Sequence, residues 1–193
     1  MSVGVIMMTT LSRQRDDGFT LAEVCVALVL LALALAGVAQ MIGLAQRATL
    51  AARLHSSSTV LAHQKIEQLR ALTWSVDEDG QRQSDFSTDL TTEPWRGGGM
   101  GLRSSSAGAL DVSTAGYVDY LNARGVWVGT GATPPPTATY VRRWTIRPLP
   151  EDPDDTLILQ VLVTAVARHR SGPLPSRHGD EAVVTTMMTR KLR

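Results

Sequence analysis

The first third of the chain carries two successive hydrophobic patterns, and the first is almost continuous. Residues 24–39 read VCVALVLLALALAGVA, with no polar side chain beyond Cys25. The range 19–44 contains a single charge, Glu23. As a helix this range is roughly 40 Å long, which is enough to cross a hydrocarbon core about 30 Å thick. We therefore predict that it is a transmembrane helix half.

From residue 45 onward the pattern becomes amphipathic. No proline occurs before Pro94 and the range 61–72 is rich in strong helix formers, so we predict one helix from Phe19 to about Leu72. Its amphipathic half, 45–74, should present an apolar stripe to a folded domain. This leucine stripe comprises Leu50, Leu54, Leu61, Leu69 and Leu72, and the opposite side carries Arg53, Ser56, His63, Gln64, Glu67 and Arg70.

Beyond residue 74 the helical pattern ends. The range 75–115 is polar and glycine-rich without periodicity, which predicts a variable loop region with at most one short element. The range 116–193 alternates as β-strands do and should form a four- or five-stranded antiparallel meander, giving an α+β fold packed on the leucine stripe. Strands are predicted at 116–121, 126–128, 140–147, 157–167 and 182–189, with turns at 122–125 and 148–155 and a loop at 168–180.

One face of the predicted strand 140–147 is strongly apolar. It carries Tyr140, Trp144 and Ile146, which are separated by even intervals and so point the same way. We expect this face to meet the helix.

Composition and charge exclude several classes of function. The net charge of +1 provides no field that would recruit nucleic acid, and apolar residues make up an ordinary 44%. Cys25 is the sole cysteine, so no intrachain disulfide forms, and in an apolar helix it should act as a small hydrophobe. There is no phosphate loop, zinc-ligand set or G-x-S-x-G, so the sequence indicates neither an enzyme nor a cofactor.

Two groups of potential metal ligands are present in the sequence. His55 and His63 lie eight residues apart without a neighbouring ligand, and we interpret both as surface helix residues. The acidic range 151–155 contains four carboxylates around Pro153. It could hold calcium, but a solvated turn is the favoured interpretation, and we predict no metal site.

The start of the apolar helix reads Gly18-Phe19-Thr20-Leu21-Ala22-Glu23. This string resembles the processing site of type IV prepilins and of type II secretion pseudopilins. The residues that match are Phe19, Thr20, Leu21 and Glu23, together with Gly18 before the cut. The resemblance implies a leader of residues 1–18, cleavage between Gly18 and Phe19 by a prepilin peptidase, and N-methylation of Phe19 by the same membrane enzyme.

The physical chemistry of the motif is consistent with these roles. A glycine before the cut lets extended backbone enter a protease cleft without side-chain hindrance. A carboxylate at membrane depth costs roughly 2.5–3.5 kcal/mol and needs a partner, and cleavage creates one in the new ammonium group of Phe19. The pairing of Glu23 could be within one chain or with a neighbour. The resemblance implies the neighbour, with Glu23 setting register during filament assembly.

Two other interpretations of the N-terminal segment remain open. One is a signal anchor without further chemistry. The other is a secretory signal peptide cut after the small residues Ala34-Leu35-Ala36, although a carboxylate at Glu23 is unfavourable in such a peptide. The leader itself departs from the family pattern at Asp16 and Asp17, and the true start could be Met1, Met7 or Met8.

The resemblance implies a minor type IV pilin-like subunit with the pilin fold, of the pilus-modification type. Its partners would be the prepilin peptidase, other pilins or pseudopilins, and inner-membrane lipid. The chain would be a single-pass protein of the bacterial inner membrane with a periplasmic C-terminal domain, built into a periplasmic or surface filament. Arg13 and Arg15 upstream of the helix predict a cytoplasmic N-terminus. A minor pseudopilin of type II secretion and a signal-peptide-bearing periplasmic β-domain that binds a ligand are the alternatives.

Overall fold

A computed structural model describes residues 18–166 and 181–192. Helix α1 runs without interruption over Leu21–Arg70, which confirms the single helix predicted from the sequence. The chain divides into one unit that ends at Gln46 and a second that begins at Arg47, close to the predicted boundary between the two helix halves. The leader before Gly18 and the predicted loop at 168–180 lie outside the described residues.

In the described ranges, ten strands follow α1 and form three sheets. β10 pairs in parallel with β1, β2 pairs with the other side of β1, and β3 and β4 form a two-stranded ribbon. The main sheet has five antiparallel strands in the order β6-β5-β7-β8-β9. The strands are β1 Trp74–Val76, β2 Arg82–Ser84, β3 Thr88–Asp89, β4 Arg96–Gly97, β5 Val118–Leu121, β6 Trp127–Gly129, β7 Tyr140–Leu149, β8 Asp152–Ala165, β9 Ala182–Thr189 and β10 Lys191–Leu192.

The main sheet confirms the predicted α+β class and its antiparallel pairing. Its order differs from a simple meander at one place, because β7 pairs with β5 and not with β6. The predicted turn at 148–155 is wrong. β7 continues to Leu149 and β8 already begins at Asp152, so the hairpin is tight and most of that range lies in strands. The prolines at 148 and 153 masked this continuation, since proline ordinarily argues against a strand interior.

Packing on the helix begins later than the leucine stripe predicted. Leu61, Leu69 and Leu72 are buried in the core, but Leu50 and Leu54 remain 60% and 36% exposed. The buried residues of the helix start at Ser58. Helical spacing identifies the face of a helix, whereas the length of that face that is covered depends on where the sheet ends. The core residues contributed by the sheet include the predicted Tyr140, Trp144 and Ile146.

The range 75–115 is more ordered than the sequence suggested. It contains most of β1 and all of β2, β3 and β4, and it contributes Leu90, Leu102 and Ala109 to the core. Strands of two or three residues are too short to show an alternating pattern, so no alternation predicted them.

The outer face of the main sheet, turned away from the helix, has a core of its own. Val118, Tyr120, Val141 and Val166 form a second buried cluster, against which Val128 and Ala138 pack. The inner and outer faces therefore both contribute apolar contacts, a feature that the predicted single packing face did not include.

Candidate functional site

The predicted cleavage segment lies immediately before the helix. Gly18, Phe19 and Thr20 precede α1 without regular structure, and no heavy atom lies within 4 Å of the position that a Cβ would take on Gly18. Phe19 and Leu21 are 88% and 84% exposed. The bond between Gly18 and Phe19 is thus exposed and lies outside regular secondary structure.

Thr20 and Glu23 form a reciprocal cap on the first turn of α1. The Thr20 hydroxyl accepts a hydrogen bond from the Glu23 backbone N–H at 3.3 Å. In return, Oε2 of Glu23 accepts from the Thr20 backbone N–H and from its hydroxyl, both at 3.0 Å. This is the capping box, in which a threonine and a glutamate three residues later satisfy N–H groups that the helix leaves without partners.

The capping box gives Glu23 a role that the sequence interpretation did not include. The pairing predicted for Glu23 is with the amine that cleavage creates on Phe19, in the same chain or a neighbour. In the uncleaved chain, one oxygen of the Glu23 carboxylate is engaged locally by Thr20. A carboxylate offers about four acceptor positions on its two oxygens. Capping by Glu23 and pairing with an ammonium group are therefore compatible.

The first half of α1, from the cap to about residue 44, is apolar on all sides. Its most apolar stretch, the predicted membrane segment, has no residue buried within the molecule, and α1 is the one described helix long and apolar enough to cross a membrane. Its exposed side chains include Leu33 at 66% and Met41 at 74%. Such a surface is unfavourable in water and fits hydrocarbon or the helices of other proteins.

The other candidate residues have ordinary surroundings. Cys25 is exposed on the helix, and so are His55 and His63. The described ranges contain no group of three or more His, Cys, Asp or Glu side chains arranged to hold a metal ion.

The acidic range 151–155 faces cations and a hydroxyl. Asp154 and Asp155 form ion pairs with Arg82 at 3.2 and 3.4 Å, and Asp152 accepts a hydrogen bond from Thr156. These contacts lie at the start of β8, where three of the four carboxylates have partners among neighbouring side chains.

Three charged side chains that the sequence analysis did not single out are buried together between α1 and the main sheet. Lys65 on α1, Asp119 on β5 and Arg142 on β7 are each 1% exposed. Arg142 binds Asp119 through two parallel hydrogen bonds of 2.9 and 2.8 Å. The Lys65 amine lies 2.9 Å from the same carboxylate. We call these three residues the buried triad.

The buried triad holds two positive charges and one negative charge, so further groups stabilise the surplus. The Lys65 amine donates to the Leu90 carbonyl and lies 4.0 Å from the centre of the Trp144 ring. Arg142 donates to the Leu61 carbonyl of α1 at 3.3 Å. These contacts link the helix, two strands and the loop after β3, and they leave each charge hydrogen-bonded, as burial demands.

Burial and neighbouring charges act in opposite directions on the pKa values of Lys65 and Asp119. Burial lowers the pKa of Lys65 to about 8, against the attraction of Asp119, which raises it. Burial by itself raises the pKa of Asp119, but the charges of Lys65 and Arg142 outweigh it, so this pKa lies below its ordinary value. At neutral pH both Lys65 and Asp119 are therefore charged.

A signal for the buried triad was present in the sequence. Lys65 lies four residues from both Leu61 and Leu69, which places it on the leucine stripe. Arg142 has the same parity as Tyr140 and Trp144 on β7, and Asp119 has the parity of the buried Tyr117 and Leu121. Three charges at positions of apolar parity indicate an internal network, but charged residues are assigned to the surface by default.

A second polar network holds the chain near its C-terminus. Arg190 stacks on the Trp74 ring at 3.6 Å and forms an ion pair with Asp155 at 3.2 Å. It also donates to the carbonyls of Asp154, Ser75 and Gln83. One side chain thus ties the end of β9 to β1, β2 and the start of β8.

Comparison with protein families, with curated proteins and with solved structures finds no match for this chain.

Proposed function

We propose that this chain is a minor type IV pilin-like subunit, matured by a prepilin peptidase and incorporated into, or priming, a filament. The observation that carries the proposal is the hexapeptide 18–23 standing at the opening of an apolar helix. Each part alone is common. Here they occur together at the start of one membrane-length helix: a glycine, an aromatic residue whose amine cleavage would release, and a single carboxylate.

The difference between the two units supports the proposal. The first unit supplies exposed apolar helix, and the second supplies a folded body in which the same helix is covered by an antiparallel sheet. In a filament, the exposed half would pack among the helices of other subunits, and the folded bodies would form the outside. The single membrane-length helix is consistent with anchoring in a membrane before assembly.

The capping box adds a physical reason for the spacing of the motif. A cap at Thr20 and Glu23 starts the helix immediately after Phe19, so that the amine released by cleavage lies next to the first turn. There it is within one residue of the capping threonine and near the carboxylate. The arrangement would prepare a carboxylate that is rigidly held and still has acceptor positions for an ammonium group.

The test is the N-terminal residue of the mature protein. The full chain is expressed with a prepilin peptidase, and its intact mass and N-terminal sequence are determined. We expect loss of residues 1–18 and gain of one methyl group on Phe19. A chain that starts near Gly37 or Gln40 would identify a signal peptide and refute the proposal.

A pair of glycine variants makes this test specific. Gly18→Leu should leave the precursor uncut, because the bulky side chain enters the cleft at the scissile bond. Gly37→Leu is the matched control, since a Cβ at Gly37 also meets no heavy atom within 4 Å but lies far from the cut. Full processing of the Gly18→Leu chain would contradict the assignment of the motif.

The alternative within the same class is a minor pseudopilin of type II secretion. A deletion strain separates the two, because loss of surface filaments supports a pilus subunit and loss of exported enzymes supports a secretion subunit.

A further inference from the structure

A cavity of about 470 Å³, lined by more apolar than polar surface but with several polar side chains, lies on the outer face of the main sheet, on the side turned away from α1. Its floor consists of side chains from β7 and β8, and the loop 105–111 forms its wall. The cavity belongs wholly to the second unit and is separate from the cleavage motif. Its size is within the range of sites for small ligands.

Arg147 lines this cavity, and its guanidinium group has one side-chain hydrogen-bond partner. Its Nη2 donates to Oε1 of Gln160 at 2.9 Å, and the amide of Gln160 in turn donates to the Thr185 hydroxyl at 3.2 Å. These hydrogen bonds connect the exposed Arg147 to two neighbouring strands. Among the described residues no carboxylate forms an ion pair with Arg147, so its remaining N–H groups are available to an acceptor in the cavity.

Thr145 supplies a second unmatched donor. The residue is 5% exposed and lines the cavity, yet its hydroxyl has no hydrogen-bond partner among the described protein atoms. The hydroxyl stands on the same face of the sheet as Gln160, its partner in the pairing of β7 with β8. A buried hydroxyl without a partner is unfavourable, so a donor in this position indicates an acceptor that enters from the cavity.

The wall of the cavity carries hydrogen-bond acceptors, whereas the floor carries donors. The exposed carboxylate of Asp111 lies on it and accepts hydrogen bonds, and the hydroxyl of Ser106 both donates and accepts. None of the side chains that line the cavity is aromatic. The site therefore offers donors for an anion on one side and an acceptor for hydroxyl groups on the other, without a ring on which a neutral sugar would stack.

We propose that this cavity binds a small hydroxylated carboxylate, of the chemical class of the sugar acids. The ligand carboxylate would pair with Arg147 and accept from Thr145, and the ligand hydroxyls would donate to Asp111. A simple carboxylic acid lacks hydroxyl groups that could donate to Asp111. A neutral sugar lacks the anion that matches the guanidinium group. The proposal is independent of the filament function, because none of these residues lies in the first unit.

The test is isothermal titration calorimetry on the full chain in detergent, with D-glucuronate as the probe. We expect saturable binding with a dissociation constant on the order of 1 mM, as befits a few hydrogen bonds in an open cavity. D-glucose and propionate, which each carry one half of the recognised chemistry, should bind at least about tenfold more weakly. Absence of saturable heat with D-glucuronate, as for a cavity that holds only water, overturns the proposal. Equal binding of propionate overturns it as well.

Two substitutions assign the binding to the cavity. R147Q should weaken D-glucuronate binding by about tenfold or more, because it removes the charge-assisted hydrogen bonds. R96Q is the matched control, since Arg96 is an exposed arginine of β4 outside the cavity, and it should bind as the unaltered chain does. Undiminished binding by R147Q refutes the site.

T145V tests the floor of the cavity by two separate measurements. It should weaken D-glucuronate binding by about threefold or more, and it should leave the midpoint of thermal unfolding unchanged or higher, because it deletes a hydroxyl without a partner. A lower midpoint would mean that the fold already satisfies this hydroxyl and would overturn its role as a donor to a ligand.

Discussion

The two units of this molecule differ in which side chains they expose and which they bury. The described part of the first unit, residues 18–46, exposes its apolar side chains, such as Leu33 at 66% and Met41 at 74%. The second unit buries Lys65, Asp119 and Arg142 at 1% exposure each. An apolar surface needs an apolar environment, which the first unit does not provide for itself. Buried charges need partners, and the second unit provides all of them internally.

The same helix belongs to both situations, and the change occurs within a few turns. No residue of α1 before Ser58 is buried, whereas Leu61, Ala62, Lys65, Ile66 and Leu69 all are. Before Ser58, the exposed apolar side chains of α1 need an apolar environment from outside the chain. From Ser58 onward, the folded domain buries one face of the helix. The second unit should therefore be stable alone, and the first should not be soluble alone.

Removal of the first unit is the largest perturbation of this comparison. A fragment of residues 45–193 retains every buried residue of α1, so we expect a soluble monomer without detergent whose near-ultraviolet circular dichroism matches that of the full chain. The full chain should require detergent or a bilayer. An unfolded fragment would show that the apolar half contributes to the fold of the second unit.

Asp119→Asn should produce the next largest effect, on stability. It leaves two buried cations without their anion, and breaking a buried ion pair by removing one partner typically costs about 3–5 kcal/mol. Urea unfolding of the substituted chain measures the loss. Lys65→Met should cost much less, since the Asp119–Arg142 pair stays intact.

Asp79→Asn is the control for this experiment, because Asp79 lies on an exposed turn where substitutions are usually within about 0.5 kcal/mol. If Asp119→Asn unfolds at the same urea concentration as this control, the buried triad contributes nothing net to stability.

Glu23 tests how the first unit meets its neighbours, and the test rests on the proposed function. Glu23→Ala removes both the charge and the cap, whereas Glu23→Gln removes the charge and keeps a side chain that can serve in a capping box. If the carboxylate pairs with an amine of another subunit, both variants should be processed normally but recover about tenfold less cross-linked partner pilin from membranes.

The contrast between the two Glu23 variants decides the role of the carboxylate. Normal recovery with Glu23→Gln and reduced recovery with Glu23→Ala would assign Glu23 to capping alone, which is worth about 0.5–2 kcal/mol. Processing is followed on the same gel, so that a failure of maturation is not mistaken for a failure of assembly.

The smallest expected effect is a pH dependence that originates in Lys65. Its pKa is about 8 in the folded chain and 10.5 in the reference state. Between these values the unfolded chain holds a proton that the folded chain has released, so stability should increase as the pH rises from about 8 toward 9.5. Below this window the full cost of burying the charge is present. Urea midpoints across this range should rise for the unaltered chain and stay flatter for Lys65→Met, and equal slopes would contradict the assignment.

Asp119 should act at the opposite end of the pH scale. Its pKa is held below the ordinary value, so the stability that it contributes is present above pH 4 and is lost as the pH falls. The acid limb of the stability curve should therefore move in Asp119→Asn, while the alkaline rise described above should persist only where Lys65 is intact.

Much of the fold could be predicted because it follows from local patterns. The continuous apolar run and the absence of proline predicted one helix, and alternation predicted β5, β7 and β9. Position 148 illustrates what local patterns miss. Pro148 belongs to β7 and pairs with Leu157, because the long hairpin around it determines the backbone path more strongly than one missing donor.

By itself, the sequence determined the motif 18–23, the apolar helix half and the face of α1 that meets the sheet, since these depend on residues near one another in the chain. Tertiary structure alone decided that Lys65, Asp119 and Arg142 form one cluster. These residues are separated by 54 and 23 positions, and their burial is favourable only when all three meet. It also decided where the leucine stripe is covered, and it brought Thr145, Arg147 and the loop 105–111 around one cavity. Such features depend on contacts between distant segments, and a single hydrophobic pattern carries no information about which distant segments will meet.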